Sequence, residues 1–296
     1  MTTFDAPFGS RTTLRVGGDA RQGIDVTTAD ELFALSETIA ATTPVYVIGR
    51  GSNTLVADAG FDGVLIHLGE SFSEIVIDED AATIRVGAAA DLPVVARRSV
   101  DASLTGFEWA VGVPGSIGGA VKMNAGGHGS SMSESVVSAT VFDLDTGEFL
   151  SLGNDALTFS YRHSGLESRQ IVVEATLRLS PGDREEGAAM LKDIVQWRRA
   201  NQPGGSNCGS VFTNPPHESA GRLIEQAGCK GMRIGSAQVS EKHANFIQAD
   251  PGGSGDDVRR LLEKVRAMVL AECGIELATE VKMVGFSPDA VVGGRS

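Results

Sequence analysis

Hydrophobic and polar positions change period several times along the 296 residues, and each change marks an element. Thr28-Ala-Asp-Glu31 has the spacing of a capping box, and Leu32, Leu35 and Ile39 follow at helical intervals, so a helix opens there. Val45-Tyr-Val-Ile48 is an apolar run of β type that breaks off into Gly49-Arg-Gly-Ser-Asn53. Further β-type runs predict strands at 64–68, 83–86, 136–143 and 171–179. In the last, Val173, Ala175, Leu177 and Leu179 alternate with Val172, Glu174, Thr176 and Arg178. After Ser180-Pro-Gly182 the period becomes helical, over 185–200, 218–227 and 256–273. Gly228 and Gly274 stand where the last two helices should stop. Strand-like runs at 245–249 and 280–286 complete the pattern. The class expected is α+β: a strand-rich domain over 1–180, a smaller α+β domain over 181–275, and a C-terminal strand and tail over 276–296 that returns to the first domain.

Glycine is the compositional departure. The chain has 37, nearly twice the usual share of roughly 7%, and they cluster. Gly49, Gly51, Ser52 and Asn53 follow a strand at once, where successive N–H groups can cradle phosphate oxygens. The segment 112–119 (Gly-Val-Pro-Gly-Ser-Ile-Gly-Gly) leads into Met123-Asn-Ala-Gly126, and seven glycines fall between 112 and 129. Backbone without side chains leaves amides open to a pyrophosphate. Neither segment has the GxGxxG spacing or the acidic partner of a Rossmann fingerprint, and no GxxxxGK[ST] is present. Taken singly each reads as tight loops; together they favour a dinucleotide held by loops.

A net charge of −13 argues against sequence-independent binding to nucleic acid or an anionic membrane. No apolar run approaches the roughly 18 residues of a membrane span. Cys208, Cys229 and Cys273 and the five histidines lack metal-site spacing, so no metal is expected and a reducing, cytoplasmic setting fits. No GxSxG elbow occurs.

Three polar positions have two readings each. Arg162, in Phe159-Ser-Tyr-Arg-His-Ser164, is a fork donor for carboxylate or phosphate, or a surface ion pair. Ser210, in Asn207-Cys-Gly-Ser-Val-Phe, is a proton donor or bonds only the local backbone. Glu280 is an acid with a raised pKa if its strand buries it, and a solvated carboxylate otherwise.

In order along the chain, Thr13-Leu-Arg-Val-Gly-Gly18, Gly49–Asn53 with Leu55, the segment 112–126, Tyr161-Arg162, Gly209-Ser-Val-Phe with Asn214-Pro215, Gly228-Cys-Lys-Gly231, Ser240-Glu-Lys-His-Ala-Asn-Phe246 and Glu280-Val281 resemble one family. It is the UDP-N-acetylenolpyruvoylglucosamine reductase family, also called UDP-N-acetylmuramate dehydrogenases, and the likeness runs from about 12 to 286. The resemblance implies an FAD-binding domain of the p-cresol methylhydroxylase type followed by a substrate-binding domain. It also implies NADPH as hydride donor and UDP-N-acetylglucosamine enolpyruvate as the partner reduced in peptidoglycan synthesis.

Carried over by position, the resemblance gives FAD to Gly49, Arg50, Gly51, Ser52, Asn53, Leu55, Gly112, Pro114, Gly115, Ser116, Gly118, Gly119, Asn124, Ala125 and Gly126. Arg162, Ser210 and Glu280 would be catalytic, and Tyr161, Asn214 and Lys242 would meet the substrate. Arg198 or Arg199 would join Lys242 at the diphosphate. Thr213, Cys229 and Gln248 depart from the usual family residues. With Tyr46 in a strand and Tyr161 beside Arg162, the chain resembles the class without a tyrosine lid, and a monomer is expected. The alternatives are another FAD oxidoreductase of this fold, or a nucleotide-binding protein without catalysis.

Overall fold

The capping box forms with one shift: Thr28 accepts from the Glu31 N–H, while the Glu31 carboxylate reaches past it to the Thr27 N–H and hydroxyl. This is seen in a computed structural model that describes residues 1–287. The helix it opens is α1 (Ala29–Thr38), which buries Leu32 and Leu35. Helices α2 (Leu92–Asp101), α3 (Ile117–Lys122), α4 (Met132–Ser135), α5 (Arg184–Asn201), α6 (Ala220–Gln226) and α7 (Gly255–Cys273) follow.

The chain forms two compact units. The first comprises Met1–Phe4, Gln22–Gly49 and Gly63–Arg198; the second takes Asp5–Arg21, Arg50–Asp62 and the described residues from Arg199 onward. Thus 5–21 and 50–62, which fall inside the expected first domain, pack with the C-terminal part. The strand at 282–284 pairs in parallel with Thr54–Val56, within that second unit. The expected tail continues over 288–296, outside the described residues.

The first unit holds a five-stranded antiparallel sheet, in spatial order Glu148–Gly153, Val136–Asp143, Gln170–Arg178, Thr83–Gly87 and Ile75–Asp78. Val173, Ala175 and Leu177 enter its core, as their alternation requires. Val45–Ile48 runs parallel to Phe61–Leu68 in a four-stranded sheet, and this pairing aims the end of the strand at Gly49. α2 has no counterpart in the sequence reading. Its valines suit a strand, but Pro93 sits in the first turn, where its missing N–H costs nothing, and Leu92, Val95, Ala96 and Val100 share the buried face.

In the second unit, Asn207–Ser210, Phe246–Ala249, Ala237–Val239 and Arg233–Ile234 form a sheet in that order. α7 covers a core with its stripe of Val258, Leu261, Leu262, Val265 and Val269. Ser254 accepts from the Asp257 N–H at its start, and Gly274, at φ 68°, ends it. α6 begins two residues later than 218, because the Asn214 Oδ1 accepts from the Ala220 N–H and sets the first turn there. Leu262→Ala is expected to cost about 2–5 kcal/mol by leaving a cavity, read from the shift of a urea unfolding midpoint.

Candidate active site

Two glycine segments meet in the first unit. A Cβ on Gly49 would lie 2.2 Å from the Ser116 Oγ, so any side chain there would force the Ser116 hydroxyl to move. The second segment is stapled to 88–92: Leu92 donates to the Gly115 carbonyl, Ile117 to Ala90 and Gly118 to Ala88. Ser116, nearly buried, precedes α3 with its N–H free of any protein acceptor among the described residues. Pro114 and Gly119 are exposed, and Gly112 packs beside Ile194 and Arg198. Burial pulls the Arg198 pKa down.

In the second unit the loop continues. Gly51, at φ 60°, passes so close to the Arg11 carbonyl (2.6 Å for an added Cβ) that a side chain is excluded. Asn53 donates from Nδ2 to the Glu280 carbonyl at 3.1 Å, and Lys282 donates back to the Asn53 carbonyl at 3.0 Å. Exposed Arg50 begins this stretch. Among the described residues the N–H groups of Ser52 and Asn53 find no protein acceptor. Open amides of this kind suit the oxygens of a pyrophosphate, so the residues present fit FAD. Leu55 is different: it is fully buried in the core, opposite Met283.

Ser210 ends the strand Asn207–Ser210, half-buried, in register with Phe246. The chain after it is gripped on both sides. The Glu280 N–H donates to the Val211 carbonyl at 2.9 Å, and Phe212 bridges to Thr279. On the other side Asn245, 3% exposed, takes the Phe212 N–H on Oδ1 (3.0 Å) and donates from Nδ2 to the Phe212 carbonyl (2.8 Å). An amide side chain thus acts as a strand partner. Ser210 and half-buried Glu280 therefore sit one residue apart on neighbouring segments. Burial pushes the nearby Cys208 thiol up to about 12, with the Glu280 charge adding to the rise, so Cys208 is no nucleophile.

Arg162 lies at the tip of a turn in the first unit. Ser160 and His163 exchange both backbone hydrogen bonds, leaving Tyr161 and Arg162 between them. Arg162 takes φ 58°, donates from Nη2 to the Gly126 carbonyl at 2.8 Å and stands 4.9 Å from the centre of the exposed Tyr161 ring. The Asn124 side chain donates to the Ser160 carbonyl (2.8 Å) and accepts from the Ser133 N–H (3.0 Å). Ala125 accepts from the Met132 N–H and packs on the core. Lys242 is exposed in the second unit and donates from Nζ to the Arg199 carbonyl.

Sequence reasoning missed Asn245 and the side-chain role of Asn124. A buried asparagine in the apolar run around 244–247 was the available signal. No group of three or more metal-ligating side chains exists among the described residues. No helix among them is long and apolar enough to cross a membrane.

Residues 23–153 match a family model described as an FAD binding domain, and 201–284 match the C-terminal domain of UDP-N-acetylenolpyruvoylglucosamine reductase. The fold is thus that of an α+β flavoprotein with a second, family-specific domain. The reductase of Heliobacterium modesticaldum is 44% identical over 97% of this chain and 92% of its own length. That of Synechococcus sp. WH7803 is 41% identical over 96% and 93%. The crystal structure of the Thermus caldophilus enzyme superposes with a TM-score of 0.84 at 33% identity, covering 96% of this chain and 99% of the other. The chain belongs to the UDP-N-acetylenolpyruvoylglucosamine reductase family.

Proposed function

We infer that this chain reduces the enolpyruvyl group of UDP-N-acetylglucosamine enolpyruvate to UDP-N-acetylmuramate, with FAD as cofactor and NADPH as reductant, in peptidoglycan synthesis. The observation that carries the reading is the Glu280 segment. Its backbone joins the Ser210 strand on one side and the glycine loop at Asn53 on the other, which brings two candidate acids to the edge of the candidate cofactor loop.

The open amides of Ser52, Asn53 and Ser116 would hold FAD, which supplies the hydride after NADPH has reduced it. A hydride added to the terminal enolpyruvyl carbon leaves negative charge on the inner carbon and the adjoining carboxylate. Arg162 meets that charge with a planar fork of donors already held by Tyr161 and Gly126. Ser210 delivers a proton to the inner carbon. Glu280 assists from the neighbouring segment, and does so as a donor only when protonated.

Tyr161 is the exposed aromatic surface beside Arg162. Asn214 offers its amide hydrogens, its Oδ1 being held by Ala220. Lys242, with Arg198 or Arg199, would meet the diphosphate, giving an acidic protein local cations for an anionic ligand. With no third tyrosine in the chain, the class without a tyrosine lid fits best. We place the protein in the cytoplasm, as a monomer. The test is consumption of NADPH by the yellow protein, followed at the nicotinamide band. It should require UDP-N-acetylglucosamine enolpyruvate and yield UDP-N-acetylmuramate in equal amount; consumption that depends on oxygen alone would refute the reading.

A further inference from the structure

We propose that Asn124 is a positioning residue for Arg162: its amide, bonded at both ends within the protein, serves the turn that carries the guanidinium rather than the cofactor. The inference rests on the role given to Arg162 above.

Asn124 is 6% exposed and takes φ 41°, a conformation that asparagine tolerates better than other residues with a side chain. Both ends of its amide are engaged within the protein. Nδ2 donates to the Ser160 carbonyl, the residue that opens the turn, and Oδ1 accepts from the Ser133 N–H at the start of α4. Two residues on, the Gly126 carbonyl takes the Arg162 Nη2 hydrogen. Gly126-Gly127 pairs with Ser130-Ser131, so this acceptor is itself fixed. Asn124 therefore ties the backbone of the turn to the same short stretch that orients its guanidinium.

Such a clamp has something to oppose. Arg162 adopts a left-handed φ without being glycine, a strained conformation that persists only when neighbours over-determine it. The base of the turn has separate supports: the buried Ser164 hydroxyl donates to the Lys122 carbonyl, and Gly165 donates to Leu157. Removing the Asn124 amide should thus loosen the tip while the base holds.

Asn124→Gly tests this directly, because glycine accepts the left-handed φ and only the amide is lost. Expected is a protein that retains one FAD and is reduced by NADPH at the parent rate. Its reoxidation by UDP-N-acetylglucosamine enolpyruvate should slow up to about 10²-fold, the scale on which small misplacements act. Asn124→Asp, which keeps the acceptor for Ser133 but not the donor to Ser160, should show the same selectivity. Added to Arg162→Ala, Asn124→Gly should slow reoxidation no further. Loss of FAD, equal slowing of both half-reactions, or full additivity with Arg162→Ala would each overturn the proposal. If Arg162→Ala alone reoxidises at the parent rate, the role of Arg162 fails and the proposal falls with it. If Arg162→Ala is slow and Asn124→Gly is not, only the positioning role fails.

Discussion

Ser210→Ala is expected to leave flavin reduction by NADPH at the parent rate and to slow reoxidation by UDP-N-acetylglucosamine enolpyruvate by about 10²–10⁴-fold, the range lost with a general acid. The selectivity follows from what the residue does. The hydride step from NADPH needs no proton on the substrate carbon, whereas the second half-reaction cannot finish without one. Alanine removes one hydroxyl from a half-buried strand end and leaves the backbone bonds of Val211 and Phe212 in place. Structural damage should therefore be slight, and FAD content should stay at one per chain. Rapid mixing under anaerobic conditions separates the two half-reactions; equal slowing of both would refute the role of Ser210.

Arg162→Ala should have the second-largest effect, lowering kcat by about 10²–10³-fold, as when a preorganised donor to a developing oxyanion is lost. The guanidinium is held before substrate arrives, by the Gly126 carbonyl and the Tyr161 ring, so little reorganisation remains for the reaction itself. Arg162→Lys should recover only part of the rate, since an ammonium keeps the charge but not the planar fork. If the arginine acts on the transition state, kcat and kcat/KM fall together; a rise in KM at unchanged kcat would make it a ground-state anchor.

Local pattern made much of the fold readable. The Thr28 capping box, the 136–143 strand and the Gly274 stop are each set by residues a few positions apart. The pairing partners are not. The tail switches partner within a few residues, from 211–213 at 278–280 to 54–56 at 282–284, and nothing in its composition says so. The chemistry of the glycine segments was legible because glycine itself advertises close backbone approach. That Gly49 stands against Ser116 is a tertiary fact. The two clamping asparagines were hidden for the same reason. Asn124 meets a carbonyl 36 positions away and Asn245 one 33 positions away, and an amide side chain carries no mark of which backbone it will satisfy. Arg162, Ser210 and Glu280 stood out only through the order of the family's motifs, since singly each has an ordinary structural use.

The most direct test is anaerobic. The protein, reduced by one equivalent of NADPH, is mixed with UDP-N-acetylglucosamine enolpyruvate while the flavin absorbance is followed. The expected result is rapid return of the oxidised spectrum with one UDP-N-acetylmuramate formed per flavin. A spectrum that stays reduced until air is admitted would contradict the substrate assignment and leave only a flavoprotein of this fold.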